Sequence, residues 1–387
     1  MEEATQAEAA LVAALHDGLG DQLHSIYRLP TVGEGYFLPE RQQATLVVIV
    51  AGARLHEVRR AFLPVWREHA AALGAPPLLI QQRALQRYLH LFPLFGRHLE
   101  RAGTRLLGED TALPVVEPPS EDGVAFAAQQ TMLASALLGD LFLTPEQEAA
   151  AQLRLNRLAR ILDLEIPEGE SVGERFCRVQ EALEPMVAGE PPENPAPPGN
   201  AGSFGSAIVA VYEDHTHLTL VAKRNPTDLL GALNWGIIGR RMYQGGILQL
   251  ATVPQLKLIF RRERPLDLLL RNLDHLHGVD VLAGVDVAEA MVFRHAARTP
   301  SMILVREMPA AYLIADGRED VHQVIHDYQN RLLNVHLRQE LLHRIHGLAP
   351  TEPPIPLPDR DAPLDERVEA IADQLNWWVE HYATALS

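Results

Sequence analysis

The 387-residue sequence has a single cysteine, few aromatic residues and a deficit of positive charge. One cysteine, Cys177, excludes an intrachain disulfide framework and a thiolate zinc cluster, and it fits a reducing compartment. Aromatic residues make up 6% and hydrophobic residues 47%, which is typical of a helix-rich globular protein. The chain has 34 Lys and Arg and 50 Asp and Glu, which gives a net charge of -16. This negative charge disfavours nucleic acid as a general ligand.

Long hydrophobic runs are also missing. No apolar stretch reaches the roughly 18 residues that a membrane span needs. The first residues, "MEEATQAEAALVAALHDGLG", are acidic and rich in alanine, unlike the basic and then apolar order of a signal peptide. We therefore expect a cytoplasmic protein that makes no membrane contact.

Proline and glycine are concentrated in two short stretches, "EPMVAGEPPENPAPPGNAGSFGS" and "LAPTEPPIPLPDRDAPLDE". Neither stretch suits a helix or a central strand, so we interpret both as linkers. The predicted organisation is a first α/β unit at 1–115, a helical domain at 116–185, a linker at 186–204, a second α/β unit at 205–290, a helical domain at 291–348, and a Pro-rich linker with a final helix at 349–387. The predicted fold class is α+β, with helix predominating.

The two halves of the chain show the same order of predicted elements. In the first, a helix leads to a strand at 25–29, a long turn, the β-branched strand "ATLVVIV", and a helix ending at Gly74. In the second, "SAIVAVY" and "HLTLVAK" form a hairpin around "EDHT", followed by the predicted helix "PTDLLGALNWGIIGRRMYQGG" and the strand "ILQLATV". We match the ending "TRLLGED" with "VDVLAGVD", which predicts an internal duplication.

The final segment has apolar residues at three- and four-residue steps, which indicates a helix that packs on the body of the protein. These residues are Val368, Ile371, Leu375 and Val379. Trp377 and Trp378 follow each other on this helix, so their side chains diverge by about 100°. We expect one of the two to pack internally.

The first half resembles the small nucleotidyltransferase domains of the polymerase-beta type, each followed by a helical domain. The resemblance rests on a helix, "SIY", a glycine-containing turn that ends in "YFLPERQQATLVVIV", and the later "FPLFGRHLERAGTRLLGED". It implies a site in which a Gly-Ser pair grips a triphosphate and an Asp-x-Asp binds magnesium ions, since hard carboxylate oxygens suit Mg²⁺. It covers 9–162 and, more faintly, 206–348.

The residues that would perform this chemistry are absent. The Gly-Ser position has Leu29 and Pro30, and the Asp-x-Asp region has Gln43 and Thr45, which cannot replace two carboxylates. In the second half, the Asp-x-Asp spacing falls on His215 and His217. The resemblance therefore implies the fold alone, with no catalytic residue, no metal ligand and no cofactor.

Two histidine patterns on the second helical segment suggest other chemistry. Arg338 and His343 have the Arg-x4-His spacing of HEPN-type ribonucleases, in which Arg binds a phosphate and His transfers a proton. His322 and His326 lie four residues apart, as zinc ligands on a helix do, but "HQVIH" lacks the glutamate of a metalloprotease motif.

Three hypotheses follow. The favoured one is a catalytically silent pseudoenzyme that acts as a binding, regulatory or assembly module through a protein partner or self-association. The second is an active nucleotidyltransferase with displaced carboxylates such as Glu213 and Asp214. The third is a HEPN-type ribonuclease. The sequence identifies no small-molecule ligand.

Overall fold

A computed structural model of the chain describes residues 2–29, 45–109, 121–138, 144–187, 208–214, 217–223, 247–270, 272–346 and 361–384. Within these residues the protein is an α+β structure, rich in helix, with two mixed four-stranded sheets. This confirms the α+β class. The helix predicted for "PTDLLGALNWGIIGRRMYQGG" lies outside the described residues.

Helices and strands are numbered in chain order. The first group contains α1 (Glu2–Leu19), β1 (Leu23–Leu29), β2 (Thr45–Val50), α2 (Leu55–Leu73), β3 (Leu78–Gln81), α3 (Gln82–Leu91), α4 (Pro93–Ala102) and β4 (Thr104–Gly108). The middle group contains α5 (Glu121–Leu138), α6 (Pro145–Ile161), α7 (Val172–Met186), β5 (Ile208–Glu213), β6 (His217–Ala222), β7 (Ile247–Thr252), α8 (Val253–Arg262), α9 (Pro265–Leu269) and β8 (Asp274–Gly278). The last group contains α10 (Glu289–Met302), a π-helical turn (Ile303–Glu307), α11 (Met308–Ile314), α12 (Gly317–His346) and α13 (Leu364–Thr384).

The chain divides into two compact units that do not follow its linear order. The first unit comprises Met1–Val115 and Ala296–Ser387, and the second comprises Val116–His295. Each unit therefore combines one sheet with helices that follow the other sheet in the chain.

The first sheet has the strand order β3-β2-β1-β4. Strand β2 is central, and all six of its residues are buried, which explains its mostly β-branched sequence. It pairs antiparallel with β1 and parallel with β3. Helix α2 leads from β2 to β3 and ends at Gly74, whose φ of 66° and bond to the Ala70 carbonyl confirm the predicted C-cap.

The second sheet repeats this arrangement, with the order β7-β6-β5-β8. The predicted hairpin of "SAIVAVY" and "HLTLVAK" is confirmed as the antiparallel pair β5 and β6. Both sheets have a register shift near the start of the first strand, between Leu23 and Ser25 in one and between Ile208 and Ala210 in the other. A further shift falls on the opposite edge of each first strand.

The last strand of each sheet ends at a glycine in the left-handed region. Gly108 has a φ of 87° and Gly278 a φ of 83°. A Cβ on Gly108 would lie 2.0 Å from the His24 carbonyl oxygen, and one on Gly278 would lie 2.1 Å from that of Val209. Both positions therefore require glycine.

The match of "TRLLGED" with "VDVLAGVD" is wrong. In the first sheet, β4 pairs with β1, and Gly108 lies opposite Ser25. In the second sheet, β8 takes the place of β4: it pairs with β5, and Gly278 lies opposite Ala210. The matching segment is thus "DHLHGVD". Residues of "VDVLAGVD" lie after this strand, in turns and irregular backbone.

The apolar face predicted on α13 is confirmed within the first unit. Its four predicted residues are all buried: Val368, Ile371, Leu375 and Val379. Trp378 is also buried, whereas the Trp377 ring stacks on His381 with centroids 5.0 Å apart.

In the second unit, α5 covers the sheet through Ala128 and Met132, and the Ser135 hydroxyl accepts a hydrogen bond from the Leu250 backbone N–H at 2.8 Å.

Candidate functional site

In the first unit, the strand ends that the resemblance assigns to catalysis are buried. Leu29 ends β1 and pairs with Thr45 at the start of β2. Their exposed fractions are 5% and 6%. A leucine side chain offers no oxygen ligand, and a single hydroxyl cannot neutralise Mg²⁺. Pro30 and Gln43 lie outside the described residues.

In the second unit, the equivalent strand ends carry charged groups that bind one another. The Asp214 carboxylate accepts hydrogen bonds through Oδ1 from the His217 backbone N–H at 2.9 Å, and the His217 ring Nδ1 lies 2.9 Å from the same oxygen. The other oxygen, Oδ2, lies 3.1 Å from Nη2 of Arg264. His215 lies outside the described residues.

Arg264 completes this network and was not identified from the sequence. Its Nε donates to Asp267 at 2.6 Å, and its guanidinium lies 5.2 Å from the centre of the Phe260 ring. Because Arg264 follows Asp214 by 50 positions, no local spacing connects the two. Both Asp214 oxygens are thus engaged within the protein, and a magnesium ion would have to displace a paired arginine to use them.

Beside this network, a buried tyrosine fixes the segment that follows β8. The Tyr212 hydroxyl donates to the Asp280 carboxylate at 2.8 Å and accepts from the Leu282 backbone N–H at 3.2 Å. Burial and the bond to Asp280 raise the pKa of Tyr212 well above its ordinary value. Tyr212 therefore stays neutral and acts as a structural donor.

The ribonuclease-like pair does not converge. Arg338 and His343 both lie on α12, and five positions on a helix separate two side chains by about 140°. Arg338 is exposed, whereas His343 is buried, with Nε2 3.4 Å from the Tyr382 hydroxyl. Burial lowers the pKa of His343. The two side chains therefore lie on different faces of α12.

The two histidines at zinc-like spacing are exposed. His322 and His326 lie on the outer side of α12, and His326 has Asp327 as its neighbour, 3.7 Å from Nδ1. Within the described ranges, no group of three or more His, Cys, Asp or Glu side chains is placed to hold a metal ion.

A row of exposed leucines runs along α12. Leu333, Leu337 and Leu341 are 56%, 55% and 43% exposed. Because they lie four positions apart, they share one face of the helix over about 12 Å. We call these three residues the leucine row. Sequence periodicity did not reveal it, since the opposite face of α12 is apolar as well.

Comparison with known proteins gives no relative: the chain matches no family model, no curated protein and no solved structure. Across the part of the chain that the structure describes, no helix combines the length and the apolar character that crossing a membrane requires.

Proposed function

We propose that this chain is a catalytically silent, nucleotidyltransferase-like protein, formed by internal duplication, that acts as an assembly module. The duplication is supported by the two sheets, which share strand order, register shifts and a left-handed glycine at the end of the last strand. Shared register shifts are stronger support for a duplication than a shared pattern of hydrophobic residues, because each register shift changes which side chains face the core.

The loss of catalysis is supported by the strand ends of both units. Leu29 and Thr45 supply no carboxylate in the first unit. In the second, Asp214 is already bound by His217 and Arg264. Two-metal phosphoryl transfer needs carboxylates that are free to bind Mg²⁺.

The leucine row is the observation that carries the assembly role. Single exposed leucines are common on protein surfaces, but three large apolar side chains on one face of one helix form a continuous strip. Covering such a strip is favourable by about 25 cal/mol for each Å² of apolar surface removed from water. The strip therefore fits a helix that docks along it.

A second copy of this chain is the occupant that the sequence of α12 fits best. If two α12 helices cross antiparallel with a twofold axis at Leu337, Leu333 of one copy faces Leu341 of the other. Beyond the leucines, Asn330 of one copy meets Arg344 of the other, which is a polar pairing without like charges.

Sedimentation equilibrium of the full chain tests the assembly role. We expect the wild-type protein to dimerise and Leu337→Glu to be monomeric, because the substitution places two carboxylates beside each other at the twofold axis. Leu276→Glu is the matched control, since Leu276 is 52% exposed on β8 but stands alone there. It should dimerise like the wild type.

Circular dichroism separates assembly from folding. Leu337 is exposed, so its substitution should change the free energy of unfolding of the monomer by no more than about 0.5 kcal/mol. A monomeric wild-type protein, or a dimer that Leu337→Glu leaves intact, would contradict the proposed role.

A further inference from the structure

A cavity of about 270 Å³ lies in the first unit, at the carboxyl ends of the parallel strands β2 and β3. The segment from Ala51 to Arg54 lines it on one side, and α13 lines it on another. At Gly52 the surface is open, because an added Cβ would meet no atom within 4 Å. The six residues of β2 separate this edge from Thr45 by about 17 Å, so the cavity is distinct from the degenerate strand ends.

Hydrogen bonds hold the strand-side wall in place. The Gln81 side-chain amide donates to the Ala53 carbonyl at 2.9 Å, and the Ala51 backbone N–H donates to the Gln22 carbonyl at 2.8 Å. Ala53 is fully buried. The wall is therefore formed before any ligand arrives, which lowers the entropic cost of binding.

Arginines on the strand side and an aspartate on α13 line the cavity. Arg54 precedes α2 and Arg83 lies in the first turn of α3. Neither guanidinium forms an ion pair with any residue that the structure describes, and the same holds for Asp373 on α13. Positive and negative charge thus come from different elements.

A second carboxylate is already engaged. Glu369, one helical turn before Asp373, accepts a hydrogen bond from the His56 backbone N–H at 3.2 Å and lies 3.0 Å from the His56 ring Nδ1. His56 is in the first turn of α2, where the helix dipole favours an anion. Since Glu369 occupies that position, an incoming anion has the arginines as its available partners.

We propose that this cavity binds a small zwitterion that carries a carboxylate and an ammonium group, of the free α-amino acid class. Arg54 and Arg83 bind the carboxylate, for which the planar guanidinium is well suited. Asp373 binds the ammonium, with help from Asn376 one turn further along α13. The Asn376 amide nitrogen donates to Glu380 at 3.2 Å, which leaves its carbonyl oxygen to accept from the ligand.

Size and lining restrict the side chain of this ligand. A volume of about 270 Å³ is below the roughly 300–1,000 Å³ of pockets for drug-sized molecules, which favours an amino acid over a nucleotide. Leu79, Leu304 and Val305 supply an apolar surface that needs no polar partner. We therefore infer a ligand with a compact aliphatic side chain.

A thermal-shift screen of the twenty free L-amino acids against the full chain, followed by isothermal titration at low salt, tests the ligand class. We expect an aliphatic amino acid to bind with a Kd below about 1 mM. Its carboxamide and its N-acetyl derivative should each bind at least tenfold more weakly, because each lacks one of the two charges.

Variants test the site itself. Arg83→Gln and Asp373→Asn should each weaken binding at least tenfold. Arg60→Gln and Asp17→Asn are matched controls, because both residues are exposed in the first unit and neither lines the cavity; they should bind like the wild type. The proposal is overturned if no amino acid binds with a Kd below 1 mM, if either derivative binds as well as its parent, or if Asp373→Asn binds unchanged.

Discussion

The two sheets have the same backbone plan but different side chains at the ends of their hairpin strands. Strand order, register shifts and the final left-handed glycine agree between them. At the strand ends, one sheet has Leu29 beside Thr45, while the other has Asp214 bound to His217 and Arg264. The comparison shows that one backbone plan accommodates an apolar strand end in one unit and a charged, hydrogen-bonded one in the other.

The largest effect is expected at the shared glycines. Gly108→Ala and Gly278→Ala should each lower the free energy of unfolding by about 3 kcal/mol or more, because the left-handed φ is strained for alanine and the Cβ would contact a carbonyl oxygen. Urea denaturation monitored by circular dichroism measures this loss, and the two substitutions should have similar effects.

Gly284→Ala is the control for backbone strain alone. Gly284 has a φ of 73°, but a Cβ there meets no atom within 4 Å. Its substitution should cost only about 1 kcal/mol. Equal losses for Gly278→Ala and Gly284→Ala would show that the close contact with the Val209 carbonyl has no role.

An intermediate effect is expected at the strand ends, where the sheets differ. Asp214→Asn should destabilise the second unit by about 1–2 kcal/mol, because His217 and Arg264 lose a charged partner while Arg264 keeps Asp267. Thr45→Val in the first unit should change stability by less than about 1 kcal/mol, since the side chain keeps its shape. Chemical denaturation of both variants makes the comparison, and a Thr45→Val loss as large as that of Asp214→Asn would contradict it.

The smallest effect is a pH dependence in the first unit. Burial lowers the pKa of His343 and of His381, which contact each other with ring centroids 6.1 Å apart. Because their folded pKa values lie below those of the unfolded chain, the unfolded state takes up protons first as pH falls below about 6.5, and stability decreases.

This pH dependence can be measured as the midpoint of urea denaturation between pH 7.5 and 5.5. Replacing both histidines by glutamine should flatten the decrease. His326→Gln is the control, because the side chain of His326 is 69% exposed on the same helix as His343. An unchanged slope in the double variant would show that other groups cause the decrease.

Much of the fold was predictable where the pattern of apolar residues is strong. The buried run of β2 and the hairpin of β5 and β6 were predicted from runs of β-branched and apolar residues, and the apolar face of α13 from their spacing. Strand β8 was missed because its side chains are mostly exposed or half-buried, so "DHLHG" carries no hydrophobic signal. An apolar helix face also does not specify which sheet covers it, and sequence order therefore could not assign the helical segments to the two units.

The candidate sites were less predictable than the fold. The resemblance directed attention to Leu29, Thr45 and His217, but not to Arg264, which lies between α8 and α9, later in the chain. Arg83 and Asp373 are far apart in sequence and line the same cavity only because α3 and α13 both border it. Residues that come together over such long sequence separations form no local motif, so their proximity could not be predicted from the sequence.

The most direct test of the silent strand ends is a titration of the wild-type protein with magnesium-ATP at low salt. Because Leu29 and Thr45 supply no carboxylate at the described strand ends of the first unit, Asp214 is paired with Arg264 in the second, and the net charge is -16, the protein should bind magnesium-ATP no more tightly than the millimolar range, about 4 kcal/mol of binding free energy. Gln43→Asp combined with Thr45→Asp should produce no transferase activity, because Leu29 and Pro30 stand where the resemblance places a phosphate-binding Gly-Ser pair. Micromolar, magnesium-dependent binding of ATP by the unmodified protein would contradict the account.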